Sequence, residues 1–108
     1  MREIQFLVSI GDDGLNRVRT SIMTERGQLI NGVRQYESMI GGNWVSIVRY
    51  DCAHGKFHKD VLWPNGDKEK RFFEFDTLKA AFDYADNDLK ERWKWYREMY
   101  ISNMRGKK

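Results

Sequence analysis

At 108 residues the chain is long enough for one domain and too short for two ordinary ones. Hydrophobic residues at 41% and aromatics at 14% argue against disorder, while 32% charged residues and a mean hydropathy of −0.74 promise a strongly solvated surface. The lone Cys52 excludes an intramolecular disulfide, no stretch approaches the ~18 apolar residues of a membrane span, and Met1-Arg2-Glu3 leads into alternation rather than a signal-peptide core, so a cytoplasmic location is expected.

Alternation dominates the first two thirds. Ile4, Phe6, Val8 and Ile10 fall on one face of a predicted strand, with Gln5 and Ser9 on the other, and Gly11-Asp12-Asp13-Gly14 supplies turn residues. A second strand follows, in which Val18, Thr20, Ile22 and Thr24 face away from Arg17, Arg19, Ser21 and Met23 until Arg26-Gly27 breaks it. Residues 28–40 fit either a strand or a helix: Leu29, Ile30, Val33, Tyr36 and Ile40 have helical spacing, whereas the glycines in and around the segment and the missing N-cap favour a strand. Gly41-Gly42-Asn43 reads as a hairpin loop into Trp44–Tyr50, the segment richest in β-branched and aromatic residues. A loop around His54-Gly55 leads to a strand from Phe57 to Trp63, the turn Pro64-Asn65-Gly66-Asp67 follows, and Lys68–Phe75 gives the last strand.

A helix is predicted from an N-cap at Asp76 to about Asn103, with Leu78, Phe82, Ala85, Leu89, Trp93, Tyr96 and Tyr100 forming one apolar stripe. Asp86 with Lys90 and Asp88 with Arg92 have the favourable four-residue order. Such a helix spans roughly 40 Å against about 26 Å for an eight-residue strand, so its last turns should overhang the sheet, carrying Trp95 and Tyr100 toward a partner. The expected fold is α+β: an antiparallel β-sheet of five to six strands with one long C-terminal helix packed on one face and partly overhanging, in a single domain over 1–108.

The net charge of +3 is concentrated late: seven basic residues lie between Lys90 and Lys108 against Glu91 and Glu98 only. Those cations suit the negative end of a helix dipole, and a phosphate or an acidic partner is the functional alternative.

One polar constellation stands out. If the strands on either side of His54-Gly55 pair about that loop, Asp51 lies opposite His58 and Arg49 opposite Asp60, all on one face next to Ile47 and Leu62. A carboxylate against an imidazole orients the ring for acid–base work. His54, His58 and Asp51 are therefore the candidate catalytic residues, and Lys56 or Lys59 could stabilise a developing phosphorane in metal-independent RNA cleavage. Arg49, Lys56, Lys59, Asp60, Trp95 and Tyr100 are candidate binding residues. The structural alternative is an ordinary Arg49–Asp60 ion pair with a half-buried His58. No recognised metal-ligand spacing is present, and no cofactor or metal is expected.

The run Arg49–Gly66 reads RYD-x-AHG-x-x-H-x-D-V-L-x-P-x-G and resembles a group of small prokaryotic proteins of unknown function that carry this pattern. More distantly, Tyr50, Asp51, His54, Gly55, Lys56 and His58 resemble the YDN-x-HGK-x-H-x-H pattern of TumE-type toxins of toxin–antitoxin pairs; Cys52 stands in place of the asparagine and Asp60 in place of the last histidine. The second resemblance implies action on RNA or translation. Three functions are carried forward: a toxin-like protein using His-based acid–base chemistry, a non-catalytic homodimerising interaction module, and a small nucleic-acid-binding domain. The expected partner is a second copy or another protein docked through the C-terminal helix, with RNA as a candidate and no membrane.

Overall fold

The computed structural model describes residues 1–53 and 56–106. Six strands follow one another: β1 (Arg2–Ser9), β2 (Asn16–Glu25), β3 (Gln28–Ile40), β4 (Asn43–Ala53), β5 (Lys56–Leu62) and β6 (Lys68–Phe73). They pair antiparallel in chain order as one sheet, and a single helix, α1 (Leu78–Gly106), packs against one face of it. The fold class read from the sequence is the observed one.

Residues 28–40 form the longest strand, central to the sheet and paired on both sides. The glycines decide this segment. Gly32 lies directly beneath Phe82, and a Cβ there would sit 2.5 Å from the ring, so the absent side chain lets helix and sheet approach closely. Gly41-Gly42 closes the β3–β4 hairpin with φ of 62° and 83°, the paired positive values that a two-residue loop between twisted strands demands. Two register shifts bend the centre of the sheet: between Met23 and Thr24 of β2, and between Tyr36 and Glu37 of β3, where Tyr36 pairs with Val48 and Glu37 with Ser46. Ile47 is the extra residue of the second. It is buried beside Val48 and lines a groove next to the helix, so it does not share the outer face with Arg49 as simple alternation predicted.

The helix begins one residue later than expected. Thr77, not Asp76, is its N-cap: the Thr77 Oγ1 accepts from the Ala80 N–H at 3.0 Å. The predicted stripe is the buried face: Phe82, Ala85, Leu89 and Tyr96 are buried with Ala81, and Leu78, Trp93 and Tyr100 pack against the same cluster. Across from them stand Tyr36, Ile47, Val48, Tyr50, Cys52 and Phe57. At 29 residues the helix runs about 43 Å, past Tyr100, and Met104 in its last turns is exposed. The Asp86–Lys90 and Asp88–Arg92 pairs form, at 2.8 and 3.5 Å.

A polar chain ties the start of β2 to the helix. Asn16 Oδ1 accepts from Tyr36 OH (2.6 Å) and Ser38 Oγ (2.8 Å), and Arg97 Nε donates to Ser38 Oγ (3.1 Å). Burial pushes the Tyr36 hydroxyl up to about 12, keeping it a donor.

The helix crosses β3, β4 and β5, and this placement overturns one expectation. The alternation of Ile4, Phe6 and Val8 predicted a buried face for β1, yet every residue of β1 is exposed, these three by 40–46%; only Ile10, just beyond the strand, is buried. A single helix, about 10 Å wide, covers only about two inter-strand spacings, and β1 lies two strands from β3.

Candidate functional site

The face of the sheet turned away from the helix carries the constellation read from the sequence. Arg49 pairs with Asp60 and Asp51 with His58, and alternation puts all four on this side. Their side chains, however, pair along strands rather than across them. Arg49 Nη2 lies 3.7 Å from Asp51 Oδ2, and His58 Nε2 lies 3.8 Å from Asp60 Oδ2. The reason lies in the outer neighbours. Arg49 is drawn toward β3 by Gln35 Oε1 (3.3 Å), and the His58 ring packs on Phe72 of β6, with centroids 5.7 Å apart. Asp60, not Asp51, is therefore the carboxylate nearest His58, and the Arg49–Asp60 ion pair does not form. Asp60 is buried, and its Oδ1 has no hydrogen-bond partner among the described residues. His54 lies outside the described residues. Lys56 is exposed at the start of β5, and Lys59 points to the opposite face from His58.

From Gln35 the polar row continues to Glu37, which accepts from Gln35 Nε2 (2.7 Å), Arg17 Nε (2.7 Å) and Arg19 Nε (3.0 Å). Burial alone would raise the Glu37 carboxyl; the bonds from Arg19, Arg17 and Gln35 override it and hold the group below its ordinary value. Arg17 also stacks over Trp44 at 3.8 Å. At Glu37 the row is a satisfied set of ion pairs, which is what sheets use for structure, whereas at its other end Asp60 Oδ1 is left unpartnered.

A second polar cluster lies between the sheet and the helix. Asp88 Oδ2 accepts from Tyr50 OH and from Tyr96 OH, each at 2.5 Å. Lys59 Nζ donates to Tyr96 OH at 2.5 Å and stands 3.8 Å from Asp88 Oδ2, while Arg92 Nε lies 3.5 Å from Oδ1. Burial, reinforced by the bond to Asp88, pushes both tyrosine hydroxyls well above the usual phenol range. Burial also lowers the Lys59 ammonium, partly offset by the attraction of Asp88. Elsewhere in the core, burial pushes the Cys52 thiol up to about 12, which makes it a poor nucleophile.

Sequence reasoning took Asp88 only as a partner for Arg92 and Tyr96 only as core. The signal was present in the spacing: residues 88, 92 and 96 lie on one helical face, and a buried tyrosine needs an acceptor for its hydroxyl. Next to this cluster opens a groove of about 190 Å³, lined by Ile47, Val61, Trp63, Trp95, Met99 and Tyr100, with Lys59 and Tyr96. Lys59, Trp95 and Tyr100 thus come together, and Arg49 and Asp60 stand apart from them on the other face. Among the described residues no group of three or more His, Cys, Asp or Glu side chains could hold a metal ion, and no helix is long and apolar enough to cross a membrane.

The architecture is that of a six-stranded meander capped on one face by one helix. Residues 1–106 match the family described as a domain of unknown function (DUF7718), and the chain belongs to that family. No match to a curated protein or to a solved structure was found.

Proposed function

We propose that the protein is a non-catalytic interaction module whose partner is a second copy of itself, engaged through strand β1. The observation that carries this is the mismatch at β1: its sequence alternates as a strand with one buried face, yet Ile4, Phe6 and Val8 are 41%, 40% and 46% exposed, and Leu7 on the other face 49%. The surface continues into a groove of about 430 Å³ lined by Phe6, Val8, Val18 and Trp93.

The two edges of the sheet differ in kind. β6 carries four consecutive charges, Lys68-Glu69-Lys70-Arg71, which guard an edge against strand addition. From Ile4 to Ser9, β1 has no charge, proline or bulge, and among the described residues its outer backbone groups have no strand partner. Antiparallel addition of a second β1 satisfies those groups. Because directly opposed residues share a face, it also gathers Ile4, Phe6 and Val8 of both copies into one apolar strip.

Light scattering on the purified protein should report a dimer, and the double variant Ile4→Lys/Phe6→Glu should give a folded monomer by the same measurement with an unchanged circular dichroism spectrum. A wild type that stays monomeric across the concentration range would sink the proposal.

The toxin-like alternative rests on one feature, the register that sets Asp51 opposite His58 on a solvent-facing sheet surface. Its outcome is distinct. Inducing the wild type should arrest bacterial growth, and His54→Ala/His58→Ala should relieve the arrest. Normal growth with the wild type leaves the interaction module as the function and the histidine–aspartate row as sheet structure.

A further inference from the structure

The groove beside Lys59 joins two properties: an apolar wall built largely of polarisable side chains and a cation with unused donors. The wall is supplied by Trp63, Trp95, Met99 and Tyr100, with the aliphatic Ile47 from β4 and Val61 and Leu62 from β5. Two indoles, a phenol and a thioether favour a flat ring over a branched aliphatic chain. Its volume of about 190 Å³ exceeds the ~150 Å³ that holds one benzene ring, and falls short of the ~300 Å³ at which drug-sized sites begin. The volume suits a single ring.

The charge of the ligand follows from the hydrogen-bond inventory. The Lys59 ammonium has three N–H donors, and one is given to Tyr96 OH. Its nearest carboxylate oxygen, Asp88 Oδ2, is 3.8 Å away and already accepts from two tyrosines, while Asp88 Oδ1 is shared with Arg92. Asp88 is thus committed elsewhere, and Lys59, with its side chain only 14% exposed, has little water to complete its shell. Arg71 and Glu69 also line the groove. Counting Arg92 and Asp88, three cations face two carboxylates. The surroundings of Lys59 are short of one negative charge; burial is what chiefly lowers its ammonium, and Arg71 and Arg92 add to that lowering.

We propose that this groove binds a single-ring aromatic carboxylate, the ring lying against Trp95 and Met99 and the carboxylate accepting from the Lys59 ammonium. The site is independent of the β1 surface: it lies at β4, β5 and the far half of the helix. Lys59 supplies preference for the anion, and the aromatic wall supplies most of the contact area. Tyr96 and Asp88 hold the lysine in place from behind.

Benzoate, with benzamide as its uncharged counterpart, is the probe. Titration followed by tryptophan fluorescence, since Trp63 and Trp95 both line the groove, should show saturable benzoate binding with a Kd of about 1 mM or tighter and at least tenfold weaker benzamide binding. Lys59→Met keeps the aliphatic stem and should abolish the preference, leaving the two probes equal. Trp95→Ala, at a position 56% exposed and tolerant of truncation, should weaken both probes together while leaving benzoate preferred. Absence of saturable benzoate binding to the wild type overturns the proposal, as does equal affinity for benzoate and benzamide. If Lys59→Met does not fold, Trp95→Ala decides alone: benzoate affinity unchanged in that variant would place binding elsewhere.

Discussion

Asp88→Ala is expected to destabilise the protein by about 3–5 kcal/mol, the range for removing one partner of a buried, hydrogen-bonded charged group. The expectation rests on how much converges on one carboxylate. Tyr50 and Tyr96 both donate to Oδ2, and Lys59 and Arg92 lie 3.8 and 3.5 Å away. Without Asp88 two buried hydroxyls lose their acceptor and the Lys59 ammonium keeps its burial while losing its counter-charge. Each hydroxyl left unsatisfied costs on the order of 1–3 kcal/mol by itself, so the sum cannot be small unless water enters. Tyr50→Phe or Tyr96→Phe should cost far less, about 1 kcal/mol, because the other donors to Asp88 remain. The diagnostic comparison is the double variant Asp88→Ala/Lys59→Met: removing the orphaned charge should restore part of the loss, so the two changes are not additive. Urea unfolding monitored by circular dichroism measures all of these. A loss under ~1 kcal/mol for Asp88→Ala would mean that the cluster is solvated rather than buried.

Leu89→Ala and Phe6→Ala make the second comparison, because their sequence contexts look alike and their surroundings do not. Both sit on an apolar stripe with the correct period for their element. Leu89 is fully buried on the inner face of the helix, in one core cluster with Tyr36 and Tyr50. Its truncation should cost about 2–5 kcal/mol, from the lost transfer term together with the cavity left behind. Phe6 is 40% exposed on an edge strand that the helix does not reach, and its truncation should cost below ~1 kcal/mol in dilute protein, where self-association is absent. At high concentration the wild type should gain apparent stability and Phe6→Ala should not, since binding to the native state alone raises stability by mass action. Equal losses for the two variants in dilute solution would show that β1 is packed within one copy of the chain.

The contrast between Leu89 and Phe6 also marks where the sequence was legible. The helix stripe, the strand segments and the β4–β5 register could be read because period and turn chemistry are local: Asp51 falls opposite His58 once the loop is centred on His54-Gly55. What local pattern cannot express is lateral position. Nothing in the spacing of Ile4, Phe6 and Val8 says that one helix must choose which strands to cover, and it covers the middle ones. Residues 28–40 satisfied two periods at once; Gly32 settles the matter through a contact with Phe82, fifty residues away. The same limit explains the site. The partners of Arg49 and His58 are set by Gln35 and Phe72 on the strands flanking β4 and β5, and pairwise reading of one hairpin does not see them. Asp88 was hidden differently, by a complete surface explanation as the i,i+4 partner of Arg92, although its place two turns before Tyr96 put it on the buried side.

The strand order has a consequence for how the molecule assembles. Every strand pairs with its neighbour in the chain, so the sheet can grow as successive hairpins with little loop-closure entropy, a route associated with rapid folding. The helix follows all six strands, and its contacts with β3 reach back some fifty residues. During synthesis the strands are therefore made before their cover exists, with Tyr36, Ile47 and Tyr50 bare for the roughly 1.5–6 s that about 30 residues take to translate. The helix also brings Asp88, without which Tyr50 and Lys59 have no buried acceptor or counter-charge. The final docking step both covers the apolar face and satisfies its polar groups, so it should carry most of the cooperativity of folding, and a ribosome stalled before Leu78 would hold an aggregation-prone nascent chain.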